Sequence, residues 1–134
     1  MQDQDYLKRA VELSHLSPEP VGCGAVIVSK GEVIAEAFNS QHIDNVAVFH
    51  AEVKALLIAN QKTGTRVLED TVAYCSSEPC GMCITALSYA KIHRVVFCYD
   101  KMDLWPDDPQ AQLDTYAYTK GLNYVPHLEQ MSID

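Results

Sequence analysis

Apolar residues recur along most of this chain at two distinct periods, and the switches between them predict its elements. Tyr6, Leu7, Ala10, Val11 and Leu13 fall near helical spacing, which predicts a helix over residues 5–16 that Pro18 and Pro20 then stop. Residues 24–29 form a short, nearly unbroken apolar run, the pattern of a buried strand. Lys30-Gly31 predicts a hairpin turn, and residues 32–38 alternate as the returning strand. Residues 39–46 are polar and read as a loop. From His50 the spacing of Val53, Leu56, Leu57 and Asn60 predicts a second helix ending before Gly64. Residues 71–75 predict a strand entering a turn at Ser76-Ser77-Glu78-Pro79, and Cys80 opens a third helix through Ile84, Leu87 and Ala90. Residues 94–99 predict a fourth strand. Beyond Asp100 the periods weaken: a loop over 103–109, a helix over 110–120 ended by Gly121, and a short last strand over 122–125 are expected. Strands alternating with helices of about a dozen residues predict a layered α/β domain.

Length and composition narrow the function classes. With 134 residues, the chain has room for a single domain, 1–134, and its 48% apolar and 21% charged residues suit a soluble globular protein. No apolar run approaches the roughly 18–20 residues of a membrane span. Met1-Gln2-Asp3-Gln4-Asp5 is acidic and lacks the apolar run of a signal peptide, so a cytoplasmic location is expected. Five cysteines, an odd number with two in a C-x-x-C, favour reduced thiols and metal over a disulfide framework. The net charge of −8 bears on partners, because proteins that grip a phosphate backbone usually carry a basic face. Here the basic pairs are Lys8-Arg9 and the spaced Lys91 and Arg94, both ordinary helix-surface charges. Nucleic acid is therefore disfavoured as a partner, and a small, weakly charged molecule is expected.

The candidate chemistry lies in His50-Ala51-Glu52 and Pro79-Cys80-Gly81-Met82-Cys83. His50, Cys80 and Cys83 can fill three positions of a tetrahedral Zn²⁺ and leave the fourth open for water. Glu52 is not needed as a ligand and lies close enough to exchange protons with that water. His50 and Cys80 each begin a helix, where free N–H groups and a partial positive charge stabilise thiolates. Cys80 and Cys83, three apart, project from one side. Each residue also has a plainer reading. The cysteines suit a structural zinc site, with a fourth ligand from Cys75 or His93, or a redox pair that would leave the His50-x-Glu52 motif unexplained. Glu52 alone would be a first-turn carboxylate favoured by the helix dipole. Cys23, Cys75 and Cys98 lie in or beside strands and read as small buried hydrophobes. Asn39 is either a turn residue or a substrate contact, and Trp105 either a core anchor or a pocket lid. His42 lies in the loop before the site and can edge a pocket. The aspartates after position 99 read as a solvated face.

The full set of residues, Pro79 included, matches the H-x-E…P-C-x-x-C signature of zinc deaminases. From about Leu7 to Tyr99 the chain resembles the cytidine and deoxycytidylate deaminase superfamily, above all its free-base and tRNA-adenosine branch. The resemblance rests on Gly24-Ala25-Val26-Ile27-Val28, Phe38-Asn39, His50-Ala51-Glu52-Val53 and Glu78-Pro79-Cys80-Gly81-Met82-Cys83. It implies a three-layer α/β/α sandwich around a mixed five-stranded sheet, and a homodimer or larger assembly. It implies Zn²⁺ on His50, Cys80 and Cys83, Glu52 as the proton shuttle, and Asn39, Ala51, Glu78 and the Cys80 amide against the base. Phe49, next to His50, is expected at the edge of the substrate ring, as is Trp105. Two segments depart from the family pattern: Ala47-Val48-Phe49 replaces the usual Asp-Pro-Thr-Ala, and Gly22-Cys23-Gly24-Ala25 replaces Pro-Phe-Gly-Ala. The implied activity is hydrolytic removal of an exocyclic amine as ammonia from a small base or nucleoside, guanine first and cytosine next. A tRNA wobble-adenosine deaminase and a non-catalytic zinc-stabilised interaction domain are the alternatives.

Overall fold

In the computed structural model, which describes residues 2–134, the two apolar periods become three layers. The elements are α1 (Asp3–Leu16), β1 (Gly24–Ser29), β2 (Glu32–Phe38), α2 (Ala51–Thr63), β3 (Thr71–Ser77), α3 (Gly81–Tyr89), β4 (Arg94–Tyr99), α4 (Lys101–Leu104), α5 (Thr115–Thr119) and β5 (His127–Gln130). The five strands are ordered β2-β1-β3-β4-β5. Strand β1 runs antiparallel to both β2 and β3, whereas β3, β4 and β5 are parallel, which gives the expected mixed sheet.

Strand alternation sorts the side chains between the layers. On one face Val26, Val28, Tyr74 and Val96 meet Tyr6, Leu7, Ala10 and Leu13 of α1. On the other, Ala25, Ile27, Ala73, Cys75, Val95 and Phe97 pack against Ala51, Ala55 and Ala59 of α2 and Ile84 and Leu87 of α3. The small alanines at four-residue spacing leave room for α2 to lie close over the sheet. Burying a side chain the size of Leu7 or Ile84 contributes about 1.5–3 kcal/mol. Helix α1 sits equally close on its side: a Cβ on Gly24 would stand 2.0 Å from the Ala10 carbonyl oxygen. A charged clamp fixes its start, with Arg94 donating to Asp3 Oδ1 at 2.9 Å and Oδ2 at 2.8 Å while Tyr74 donates its hydroxyl to the same carboxylate.

Most expected elements are present, and the differences gather after Asp100. Strand β3 runs on through Ser76 and Ser77, because Ser76 Oγ accepts from the Gly24 N–H at 2.9 Å and so keeps a polar residue inside the sheet. The helix expected over 110–120 is confined to α5, with turns before it; Asp114 caps α5 by accepting from the Ala117 N–H. A short helix, α4, takes up the first two residues of the loop expected over 103–109. The last strand lies at His127–Gln130 and not at 122–125, because its pairing with β4, Arg94 opposite His127 through Phe97 opposite Gln130, sets its place. Among the described residues no helix is long and apolar enough to cross a membrane.

Candidate active site

The sheet brings the starts of α2 and α3 together at one end. His50 and Cys80 are the N-cap residues of the two helices, each with extended backbone. Their carbonyls accept the first helical bonds, from the Lys54 and Ile84 N–H groups at 3.1 and 3.0 Å. Pro79, fully buried, leads from β3 into that second cap. Cys83 lies one turn further on and is also fully buried.

His50 Nδ1 stands 3.7 Å from Cys80 Sγ and 3.6 Å from Cys83 Sγ. The three donor atoms lie within 4.8 Å of one another, and no other His, Cys or carboxylate among the described residues joins them. Zinc bonds of about 2.0–2.1 Å to nitrogen and 2.3 Å to sulfur, set at tetrahedral angles, require N···S separations of about 3.6 Å. The residues present therefore fit zinc. Neither Cys75 nor His93 supplies a fourth donor, so the site lacks the closed four-ligand shell of structural zinc. Electrostatics agree. The hydrogen bond from the Cys83 thiol, then that from His50, hold Cys80 down at about 4 against the opposing pull of burial. His50 is raised, first by its hydrogen bond with Cys80.

Glu52 sits in the first turn of α2, 6% exposed, and faces the same cavity. Burial first, and the neighbouring Cys80 charge second, push its carboxyl up to about 7. A carboxyl there can hold or release a proton near neutral pH, unlike a surface glutamate.

The cavity measures about 340 Å³, towards the small end of ligand pockets. Asn39, Glu52, His50, Cys80 and Glu78 line it as the sequence led one to expect. Asn39 does so with its amide already engaged: Oδ1 accepts from the Cys23 N–H at 2.8 Å and Nδ2 donates to the Val21 carbonyl at 3.0 Å. Glu78 is nearly buried and faces Lys101 Nζ at 3.6 Å. Burial raises its carboxyl, with Asp100 adding to the rise and Thr115 and Lys101 opposing it. Ala51 is wholly buried and packs in the core between α2 and the sheet.

Phe49 does not line the cavity. Its ring lies 5.8 Å from Lys54 Nζ, which also sits over Phe38. Trp105, expected either as a core anchor or as a pocket lid, lines the cavity while packing on the core. His42 is mostly exposed and pairs with the buried carboxylate of Glu19. Cavity residues that the sequence did not single out include Gln41, Lys101, Asp108, Gln110 and Ala111. Four of them lie in irregular segments and Lys101 opens the four-residue α4, so no periodicity or spacing marks them. Another wall residue, Cys23, lies in one of the segments that depart from the family pattern.

Comparison with known proteins agrees with this geometry. Residues 1–99 match the cytidine and deoxycytidylate deaminase zinc-binding region. A tRNA-specific adenosine deaminase of Streptococcus pyogenes is 37% identical over 94 residues, covering 70% of this chain and 58% of that protein. A guanine deaminase of Bacillus subtilis is 37% identical over 109 residues, 77% of this chain and 68% of that protein. The crystal structure of guanine deaminase from Bacillus subtilis superposes with a TM-score of 0.75 at 31% identity, over 94% of this chain and 83% of that one. The chain thus spans little more than half the length of the tRNA adenosine deaminase it matches.

Proposed function

Since the chain belongs to the cytidine and deoxycytidylate deaminase family, we propose that it is a zinc-dependent hydrolytic deaminase of a small nucleobase or nucleoside. Guanine is the first expected substrate and cytosine the next. The observation that carries the reading is the placement of three donor atoms at tetrahedral zinc separations beside a buried carboxyl, all facing one cavity. Held by His50, Cys80 and Cys83, zinc would supply Lewis-acid activation of water at its open position.

The remaining work falls to the chain's own groups. Glu52, poised near neutrality, takes one proton from water and passes it to a ring nitrogen as the oxygen adds to the amine-bearing carbon. It then takes the second proton from the added hydroxyl and gives it to the amine, so that the C–N bond breaks, the carbonyl forms and ammonia leaves. Asn39 shapes the cavity floor through its bonds to Val21 and Cys23, and keeps one lone pair and one N–H for the ring. Trp105 supplies the apolar wall first expected of Phe49.

Relatives named tRNA-specific adenosine deaminases leave the expectation against nucleic acid without support, and they favour tRNA as the second reading. Support for a small molecule comes from the net charge of −8 and from the acidic side chains of Glu78 and Asp108 at the cavity, which disfavour phosphate. A cytoplasmic homodimer belongs to the same proposal, the dimer supported by Leu57 and Ile58, 45% and 40% exposed on α2.

Ammonia release measured across guanine, cytosine, their nucleosides and a tRNA anticodon stem-loop tests the substrate. Deamination of the stem-loop with no release from any small molecule would overturn the first reading. Glu52→Gln tests the chemistry: it should keep zinc and fold while turnover falls by about 10²–10⁴-fold. A variant with near-normal turnover, or one that loses its zinc, would contradict the role given to Glu52.

A further inference from the structure

Lys101 is the cationic side chain in the cavity wall, and it is only 3% exposed. Lysine is almost never this buried without partners, because desolvating an ammonium is costly. Here the partners are specific. Nζ donates to the Leu113 carbonyl and, at 2.6 Å, to Thr115 Oγ1, and Glu78 Oε2 stands 3.6 Å away. The Thr115 hydroxyl passes the connection on, donating to the Pro79 carbonyl at 3.2 Å. Pro79 directly precedes the zinc-ligand Cys80. A continuous buried path thus runs from the end of the 105–113 segment, through one ammonium and one hydroxyl, to the turn that leads into Cys80.

That segment forms one wall of the cavity, through Trp105, Asp108, Gln110 and Ala111, and it contains no regular helix or strand. Its internal bonds, such as Gln112 Nε2 to the Pro106 carbonyl at 2.8 Å, hold its own shape, and Trp105 packs on the core at its start, which leaves its far end to be fixed. We propose that Lys101 is a positioning residue for substrate selection: its ammonium fastens the 105–113 wall to the 78–80 turn and so holds the cavity at the size of a free base. The proposal rests on the small-molecule reading above. Without the ammonium, the wall moves outward, the base is gripped less, and the bulkier nucleoside is excluded less.

The test uses the zinc-replete full chain, with Lys101→Met and Thr115→Val beside it. Steady-state ammonia release is measured on guanine, guanosine, cytosine and cytidine, and hydrogen exchange is followed over residues 105–114. Lys101→Met should raise KM for the base about tenfold or more while kcat stays within about threefold, the pattern of lost binding without lost chemistry. Its preference for base over nucleoside should shrink by a similar factor, and residues 105–114 should exchange faster while α2 does not. Thr115→Val should move each quantity the same way by less, and it carries the test if Lys101→Met does not fold. A folded, zinc-replete Lys101→Met with unchanged KM and unchanged preference would overturn the assignment, since a purely structural lysine moves stability alone. If the unaltered protein releases ammonia from none of the four, the functional reading fails first. Exchange then decides the clamp by itself, and unchanged exchange over 105–114 overturns it.

Discussion

Replacing Asn39 with alanine should lower both stability and turnover, and the bonds of its amide set the size of each loss. Oδ1 accepts from the Cys23 N–H at 2.8 Å, Nδ2 donates to the Val21 carbonyl at 3.0 Å, and the residue is 3% exposed. Alanine leaves one backbone donor and one acceptor without partners where solvent reaches poorly, at about 1–3 kcal/mol each. Allowing for water entering from the cavity side, the sum is about 3 kcal/mol. For a domain of 134 residues, each kcal/mol corresponds to roughly 3–4 °C, so Tm should fall by roughly 10 °C. Cys23 forms part of the cavity wall, so release of the 21–23 segment should also reduce kcat/KM by about tenfold. Thermal denaturation and steady-state kinetics on the same zinc-loaded preparations measure both. A Tm within about 2 °C of the parent, together with a large loss of kcat/KM, would refute the reasoning, because the amide would then serve the substrate and not the chain.

Three further outcomes follow from the same geometry. Cys83→Ala removes a ligand that is fully buried, so the protein should bind zinc far more weakly and unfold at lower temperature; full zinc by elemental analysis would contradict the ligand set. Asp3 has its carboxyl held below the ordinary value first by Arg94 and then by Tyr74, so its contribution is complete above about pH 4 and fades as pH falls through the lower, folded value. Asp3→Asn should therefore flatten the acid side of the Tm–pH curve and cost about 1 kcal/mol at neutral pH, as suits a half-exposed pair; an unchanged acid limb would count against the clamp. Gly24→Ala would set a Cβ 2.0 Å from the Ala10 carbonyl oxygen, forcing α1 off the sheet at about 3 kcal/mol, read from urea midpoints.

Why the chain up to Tyr99 was legible, and the rest was not, has a physical cause. Helix α1 buries side chains at helical spacing, and strands β1 and β4 bury nearly unbroken runs, so their patterns survive in the sequence. The metal site was legible for a stricter reason: tetrahedral coordination tolerates few residue types and requires both helix starts to converge. Strand β5 has one buried residue, Leu128, and one residue carries no period. Helices α4 and α5 are four and five residues long, too short to show one. Phe49 misled because adjacency in sequence to His50 was taken for adjacency in space, whereas the step into a helix cap turns that side chain towards Lys54.

The family match ends at Tyr99, where β4 ends, and the cavity wall that follows it is built from turns. This division separates two kinds of constraint. Metal coordination and proton transfer fail if an atom moves by a fraction of an ångström, so they are placed on helix starts anchored by the sheet. Admission of a substrate depends on cavity width and on a few polar groups, which an irregular segment can supply if something fixes it in place. In this chain we assign the fixing to Lys101 and Thr115, beside the packing of Trp105 on the core; their bonds reach back to Pro79. On the proposed reading, substitutions in the 105–113 wall change which base is accepted while the three metal donors and Glu52 keep their positions.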